Sequence, residues 1–276
     1  MKTHSKHHIV KIDKLYPSLM SDSKGYFFVI YQLNTVNENK NDLILIKMTK
    51  DFKVIWKNIL DGDNPNNFYP SIIIDQTDQI IISYNTPIGD IILSKYDTDG
   101  QKIWTYRVDN DKRSFSNMYP SITCDQQHIY LTYQRKQIKT QSSYLIISEL
   151  NHDGKILWTK DQLQNQSNIN IYPSVSVDGS GYIYISCHMK RKDSSEQYDI
   201  NIVKFNNEGE YQLVYQPDNC QDKNYKLFPM ISHDQHNCLY LIYQINDLTT
   251  CSSSKPKNLT NGMTLHKLNA QGQTEW

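Results

Sequence analysis

The stretch YPSIIIDQTDQIIISY, Tyr69 to Tyr84, reads as a proline-opened strand, a polar turn and a second strand. The chain writes it five times. LYPSLMSDSKGYFFVIYQ begins at Leu15, MYPSITCDQQHIYLTYQ at Met118, IYPSVSVDGSGYIYIS at Ile171 and LFPMISHDQHNCLYLIYQ at Leu227. Aligned on Pro17, Pro70, Pro120, Pro173 and Pro229, the copies lie 53, 50, 53 and 56 residues apart. A period of that length marks an array whose units bury their faces against one another.

Each unit holds four short segments of strand character, here a to d. Segment a follows the proline, as in Ser71-Ile72-Ile73-Ile74, and b follows a polar turn, as in Tyr182-Ile183-Tyr184-Ile185. Segment c is DLILIK at Asp42, echoed by DIILSK at Asp90 and DINIVK at Asp199. Segment d carries Trp56, Trp104, Trp158 and Trp276, with Tyr215 in the fourth copy. β-Branched and aromatic residues dominate, turn residues recur at strand-length intervals, and no amphipathic helix is legible. An aspartate falls five residues after every proline, at Asp22, Asp75, Asp125, Asp178 and Asp234, where its carboxylate can bond turn N–H groups. Between c and d stand DTDG at Asp97, NHDG at Asn151, NNEG at Asn206 and NAQG at Asn269, with glycine for a positive φ. The first copy has TKDF instead, which predicts a different turn there.

Four antiparallel strands per unit, repeated five times, predict an all-β fold: a β-propeller of four-stranded blades, five in number, as one domain over residues 1–276. Pro17 to Pro229 covers 212 residues in four periods, a mean of 53, so five periods need about 265 of the 276 present; an open β-solenoid and a piece of a six- to eight-bladed ring are the alternatives. The N-terminal HHIVKID precedes the first proline as the end of d does elsewhere, so the two chain ends are expected to share one outer strand position.

Lys plus Arg equals Asp plus Glu, 29 against 29, and no basic run marks a nucleic-acid or anionic-membrane partner. No apolar run approaches the ~20 residues of a membrane span, and no signal-peptide core is visible. Five cysteines, an odd number without CxxC, fit free thiols in a reducing compartment, the cytoplasm or an intracellular assembly, a virus particle included. The sequons at Asn165 and Asn258 matter only on a secretory route.

The order SVSVDGSGYIYIS, DINIVKFNNEG, then an aromatic, resembles the bacterial-type β-propeller repeat family often called SBBP. There an aliphatic strand ends in D, followed by GNVYV, DAFVAKL, DG and W. The similarity covers nearly the whole chain and implies the propeller fold with binding or scaffolding. It supplies no catalytic residue. That family is commonly seven-bladed and often extracellular, and this chain departs on both points.

With a innermost, the d–a and b–c loops share one face and the tight a–b and c–d turns the other. The first face gathers Tyr16, Tyr69, Tyr119, Tyr172 and Phe228 at the channel mouth, with Tyr31, Tyr84, Tyr133 and Tyr243 ending the b strands and Gln32, Gln134 and Gln244 after them. Aromatic rings beside amides suit sugars or extended peptides, and these residues are the ligand-binding candidates. Packing between blades is the competing role for each tyrosine, as for the tryptophans. The NDLTTCSSSKPKNLTN insertion makes this face the more variable one.

Catalytic signatures are scarce. HDQH, with His233 and His236, is too small a cluster for a metal; His7 and His8 are terminal; Cys187-His188 and Cys124 have no visible partner arrangement for nucleophilic catalysis. No GxSxG, HExxH or P-loop occurs, and no cofactor is expected. Some five-bladed propellers are glycoside hydrolases, which set two acids across a sugar. Five equivalent turn aspartates do not make such a pair. Asp42, Asp90 and Asp199 open segment c on the candidate face and are the acids to consider, with Tyr144 and Gly262 replacing them in the other copies. The leading expectation is a non-enzymatic propeller that binds or scaffolds a protein or glycan. A lectin-like multivalent module and a glycosidase-like enzyme are the alternatives.

Overall fold

The computed structural model describes residues 13–35, 40–60, 68–108, 114–162, 171–190, 198–215, 225–246, 261–269 and 273–276. His7, His8, Cys220, Cys251, both sequons, the long b–c insertion and most of HHIVKID lie outside them. Every regular element described is an antiparallel strand. Blade 1 is β1 (Asp13–Ser21), β2 (Phe27–Thr35), β3 (Lys40–Met48) and β4 (Val54–Leu60). Blade 2 is β5 (Phe68–Ile74), β6 (Ile80–Asn85), β7 (Ile91–Tyr96) and β8 (Lys102–Val108). Blade 3 is β9 (Phe115–Cys124), β10 (His128–Gln137), β11 (Ser143–Asn151) and β12 (Ile156–Gln162). Blade 4 is β13 (Ser174–Val177), β14 (Ile183–Lys190), β15 (Tyr198–Phe205) and β16 (Tyr211–Tyr215). Blade 5 is β17 (Tyr225–His233), β18 (Leu239–Asn246) and β19 (Asn261–Leu268), and its fourth position begins with a Leu268–Thr274 bridge and Lys267 N–H donating to the Trp276 carbonyl. The result is a five-bladed β-propeller with segment a innermost. No described helix is long and apolar enough to cross a membrane.

The turns obey the aspartate rule. In all five a–b turns the Asp Oδ1 accepts two backbone N–H groups, as Asp178 does from Ser180 and Tyr182 at 2.9 Å each. The Asp75 carboxylate also meets Lys95 Nζ at 2.9 Å. Burial pushes Asp75 up, but Lys95, the Thr77 hydroxyl and the Gln79 N–H together hold it below its ordinary value.

β6 and β7 are buried at every position, so Ile80-Ile81-Ile82 is a continuous apolar run rather than an alternation. Its side chains alternate between neighbours. Ile80 and Ile82 pack with Phe28 and Leu45 of blade 1, and Ile81 packs with Ile122 and Leu131 of blade 3. The same division builds the seam of blades 3 and 4 around Leu145, Ile147 and Val175, and that of 4 and 5 around Ile202, Ile231 and Leu241. Each fully buried aliphatic side chain contributes roughly 1.5–3 kcal/mol.

Tryptophan completes these seams from the outer strand. Trp56 Nε1 donates to Thr98 O at 3.3 Å and Trp104 Nε1 to His152 O at 3.1 Å, each on the c–d turn of the next blade. The ring lies on that turn's glycine. A Cβ added at Gly100 or Gly154 would meet the ring at 3.2 Å, and at Gly209 it would meet Trp158 at 2.7 Å. Glycine thus serves both a φ near +80° and the tryptophan seat.

The expectation of a different turn at TKDF is corrected. Thr49–Lys53 has the same hydrogen bonds as its counterparts, with Phe52 in the glycine position at φ +61°. The space is free because no tryptophan sits there: Phe52 is exposed and stacks on Phe27 at 5.3 Å. No hydrophobic cluster among the described residues joins blades 5 and 1 as one joins each other neighbouring pair. Leu19 is 53 % exposed, where Ile72, Ile122, Val175 and Ile231 at the same repeat position are at most 7 %. Met263, the counterpart of the fully buried Ile91 and Leu145, is 75 % exposed.

The two demands on glycine can be separated. Gly25 also has φ +82° but nothing within 4 Å of an added Cβ. Gly25→Ala should lower unfolding stability by about 1 kcal/mol from backbone strain alone. Gly209→Ala should lose at least ~2 kcal/mol, because the Trp158 ring must also move. Urea denaturation of both variants reads the difference; equal losses would show that the tryptophan seat is not tight.

Candidate functional site

The aromatic residue before each proline is the most unusual backbone feature of the molecule. Tyr16, Tyr69, Tyr119, Tyr172 and Phe228 all have positive φ, between +39° and +57°. Bulky residues avoid this region. The pairing register shows why they enter it. Phe68 pairs with Asn85 and Ser71 with Ser83, so Tyr69 and Pro70 together oppose Tyr84. The same shift sets Tyr16-Pro17 against Tyr31, Tyr119-Pro120 against Tyr133 and Phe228-Pro229 against Tyr243. Each is a β-bulge whose left-handed residue, ordinarily glycine, is aromatic. Proline follows where the ladder is already broken and no N–H is needed.

The bulges turn the five rings toward one another at the axis. Centroid separations run 4.3 Å for Tyr16–Tyr69, 4.4 Å for Tyr69–Tyr119, 4.3 Å for Tyr119–Tyr172 and 5.0 Å for Tyr172–Phe228. They form a contiguous aromatic floor. Their hydroxyls are linked, with Tyr119 OH donating to Tyr172 OH at 3.5 Å. Burial, then the bond with Tyr16, pushes the Tyr69 phenol up to about 12. Burial, then Tyr172, raises Tyr119 further. These phenols stay neutral and offer O–H groups. Tyr16 and Phe228 are the most exposed of the five.

The tyrosines that end the b strands occupy a different layer. Tyr84, Tyr133 and Tyr243 are buried, and Tyr31 is half-buried. Gln32 and Gln134 are buried and Gln244 is half-buried. Gln134 ties two blades: its Oε1 accepts Ile171 N–H at 2.8 Å, just before the Tyr172 bulge, and its Nε2 donates to Ser143 Oγ at 2.9 Å. In blade 4 the equivalent position is His188, buried and edge-on to Tyr172 at 5.7 Å. Sequence reasoning weighed His188 only with Cys187 as a nucleophilic pair and set it aside; the signal for its place here was that it stands where Gln32, Gln134 and Gln244 stand in other blades. That reasoning passed over Arg135, which donates to Tyr133 OH at 3.1 Å and lies over Phe115, and His266, whose Nε2 is 2.9 Å from Tyr243 OH.

The candidate acids stand on this same face. Asp90 is buried at the start of the c segment of blade 2, with Arg107 Nη1 3.4 Å from its Oδ2. Asp199 is buried in β15, opposite Met189. Asp42 is half-buried in β3. The three come from different blades around the aromatic floor.

The opposite, tight-turn mouth holds a cavity of about 410 Å³ lined by Gln76, Cys124, Asp125, Gln127, Asp178 and His233 among others. Its chemistry is already committed. Asp125 and Asp178 hold their turns through Oδ1 and accept Tyr130 and Tyr184 hydroxyls on Oδ2. Burial, then Asp75 and Asp125, pushes the Cys124 thiol up to about 12, so it is no thiolate nucleophile. His233 Nδ1 is 2.7 Å from Ser176 Oγ, and burial holds its pKa below the usual value. Among the described residues no three His, Cys, Asp or Glu side chains converge as metal ligands.

No protein-family profile matches the chain, and no curated protein matches it. Solved structures do. The chain is similar to the GH62 α-L-arabinofuranosidase catalytic domain of Coprinopsis cinerea, at 12 % identity and TM-score 0.55, covering 96 % of this chain and 93 % of that one. It matches the GH93 α-L-arabinofuranosidase of Fusarium graminearum at 9 % identity and TM-score 0.63, over 94 % and 82 %. It matches the GH43 endo-arabinanase of Bacillus licheniformis at 13 % and 0.51, over 94 % and 96 %. The shared property is the fold. The expectation of a non-enzymatic binding or scaffold protein is nonetheless corrected by these matches, since all three are glycoside hydrolases by name.

The floor can be checked without a ligand. The difference between alkaline absorbance titrations of the native protein and Tyr69→Phe should show one phenol ionising near pH 12. A difference centred near ~10, the ordinary tyrosine value, would mean that the rings do not close on one another.

Proposed function

We propose that this chain is a carbohydrate-active propeller of the glycoside hydrolase type, binding a sugar against the floor of Tyr16, Tyr69, Tyr119, Tyr172 and Phe228. The observation that carries the reading is the set of five left-handed aromatic residues. Each places a bulky residue where strain runs to about 1–3 kcal/mol, and such strain gathers at functional sites. The strain aims flat apolar faces and neutral hydroxyls at one point, the combination that recognises a sugar ring by its C–H face and its hydroxyls. The fold shared with two α-L-arabinofuranosidases and an endo-arabinanase supports it.

Glycosyl cleavage needs a proton donor and a carboxylate on either side of the scissile bond. Asp90 and Asp199 are the acids assigned here. They come from blades 2 and 4, on either side of Tyr119, and Arg107 beside Asp90 makes the two environments unlike. Unlike environments are what an acid–base pair requires.

The test is a panel of aryl arabinofuranosides, arabinan and aryl galactosides, with Asp90→Asn and Asp199→Asn. Each variant should lower kcat by about 10²–10⁴-fold while sugar binding persists. The double change Tyr69→Ala with Tyr119→Ala should abolish binding in a folded protein. Full activity in both aspartate variants would overturn the acid assignment. Absence of both binding and hydrolysis across the panel would overturn the reading as a whole. Binding without hydrolysis would leave the floor as a lectin-like site.

A further inference from the structure

At one position the five blades differ in sign. Five residues after the residue that opens segment c (Asp42, Asp90, Tyr144, Asp199 and Gly262) stand Lys47, Lys95, Glu149, Lys204 and Lys267 in blades 1 to 5. Lysine suits the place. Lys47 Nζ donates to Thr98 O at 2.9 Å and Lys95 Nζ reaches His152 O at 3.5 Å, each across the seam to the turn that also seats the tryptophan. A carbonyl oxygen welcomes an ammonium there and disfavours a carboxylate. Blade 3 nevertheless carries Glu149, 5 % exposed, facing the Asn206–Gly209 turn of blade 4.

The neighbours of Glu149 are mixed. Trp158, whose counterparts in blades 1 and 2 bond the turn carbonyl, here bonds the Glu149 side chain. His128 Nε2 is 3.6 Å from Oε1. Asp125 and Glu208 bring like charge, and the Tyr130 hydroxyl beside them is already given to Asp125. Oε2 is buried without a hydrogen-bond partner among the described residues. A charged carboxylate with an unsatisfied buried oxygen is destabilising; its protonated form carries a donor and no charge.

We infer that Glu149 makes the seam between blades 3 and 4 a pH-sensitive joint, tightened in acid and loosened as the pH rises. The sign follows from burial, which, ahead of the opposing His128 and Trp158, holds the carboxyl above its ordinary value. A group that binds its proton more tightly in the folded state loses folded stability as pH climbs from its unfolded to its folded pKa.

The test compares the native protein with Glu149→Gln, a near-isosteric change, and Glu149→Lys, which restores the pattern of the other blades. Hydrogen exchange, corrected for intrinsic rate, is followed at pH 5 and pH 8 in residues 145–147 and 175–177 of this seam and 80–82 of the seam between blades 1 and 2. In the native protein, exchange in the first seam should accelerate several-fold at pH 8, with no such change in the second. Glu149→Gln should remove the pH response and Glu208→Gln should reduce it. Equal pH responses in the native protein and Glu149→Gln, or the same response in both seams, would overturn the proposal. Should Glu149→Lys fail to fold, the Gln variants still decide.

Discussion

A blade cannot be stable alone. Its sheet has two apolar faces, and burying both requires a neighbour on each side. That single requirement explains the unbroken Ile80-Ile81-Ile82 run, the division of its side chains between blades 1 and 3, and the glycine seat beneath each paired tryptophan. It also explains why outer strands such as β8 are mostly exposed and still well placed, since the Trp104 indole anchors that strand to the following blade. The innermost strands receive a second demand. They converge on an axis where five side chains compete for one space, and the left-handed bulge before each proline lets large rings meet there edge to face.

Much of this was legible in the residues. The proline period gave the blade count, and the aspartate five residues later named the a–b turn, because one short carboxylate can reach two backbone N–H groups only from that position. The tyrosines before the prolines were read as facing the channel mouth, and the structure brings their rings into contact with one another. What could not be read was their backbone. Nothing in Tyr-Pro announces a positive φ, since it arises from a two-against-one pairing with the next strand. Phe52 was misread for the complementary reason: TKDF lacks glycine, yet glycine matters at that turn chiefly because a tryptophan lies on it. In blade 1 no tryptophan does, and a phenylalanine fits.

The candidate acids illustrate a different obstacle. Repetition gives five aspartates equal sequence signals, but their local bonds separate them. Those in the a–b turns have their oxygens engaged in holding the chain, as Asp178 does with Ser180, Tyr182 and Tyr184. Asp90 and Asp199 share their place with Asp42, the repeat departing from it at Tyr144 and Gly262, and Arg107 beside Asp90 sets that one apart. Departure from the repeat was also what distinguished His188 and Glu149. In an array, the shared residues build the frame, and the odd ones are where blades acquire individual character.

The tryptophan seats also give the molecule an optical property. The indoles of Trp56, Trp104 and Trp158 are half-buried against the glycines of blades 2, 3 and 4, while Trp276 is 60 % exposed. Emission from the first three arises at joints between blades, and emission from the fourth arises largely in water. Replacing the indoles one at a time therefore resolves the intrinsic fluorescence into separate signals, so that the parting of each of these joints can be watched on its own, without an added label.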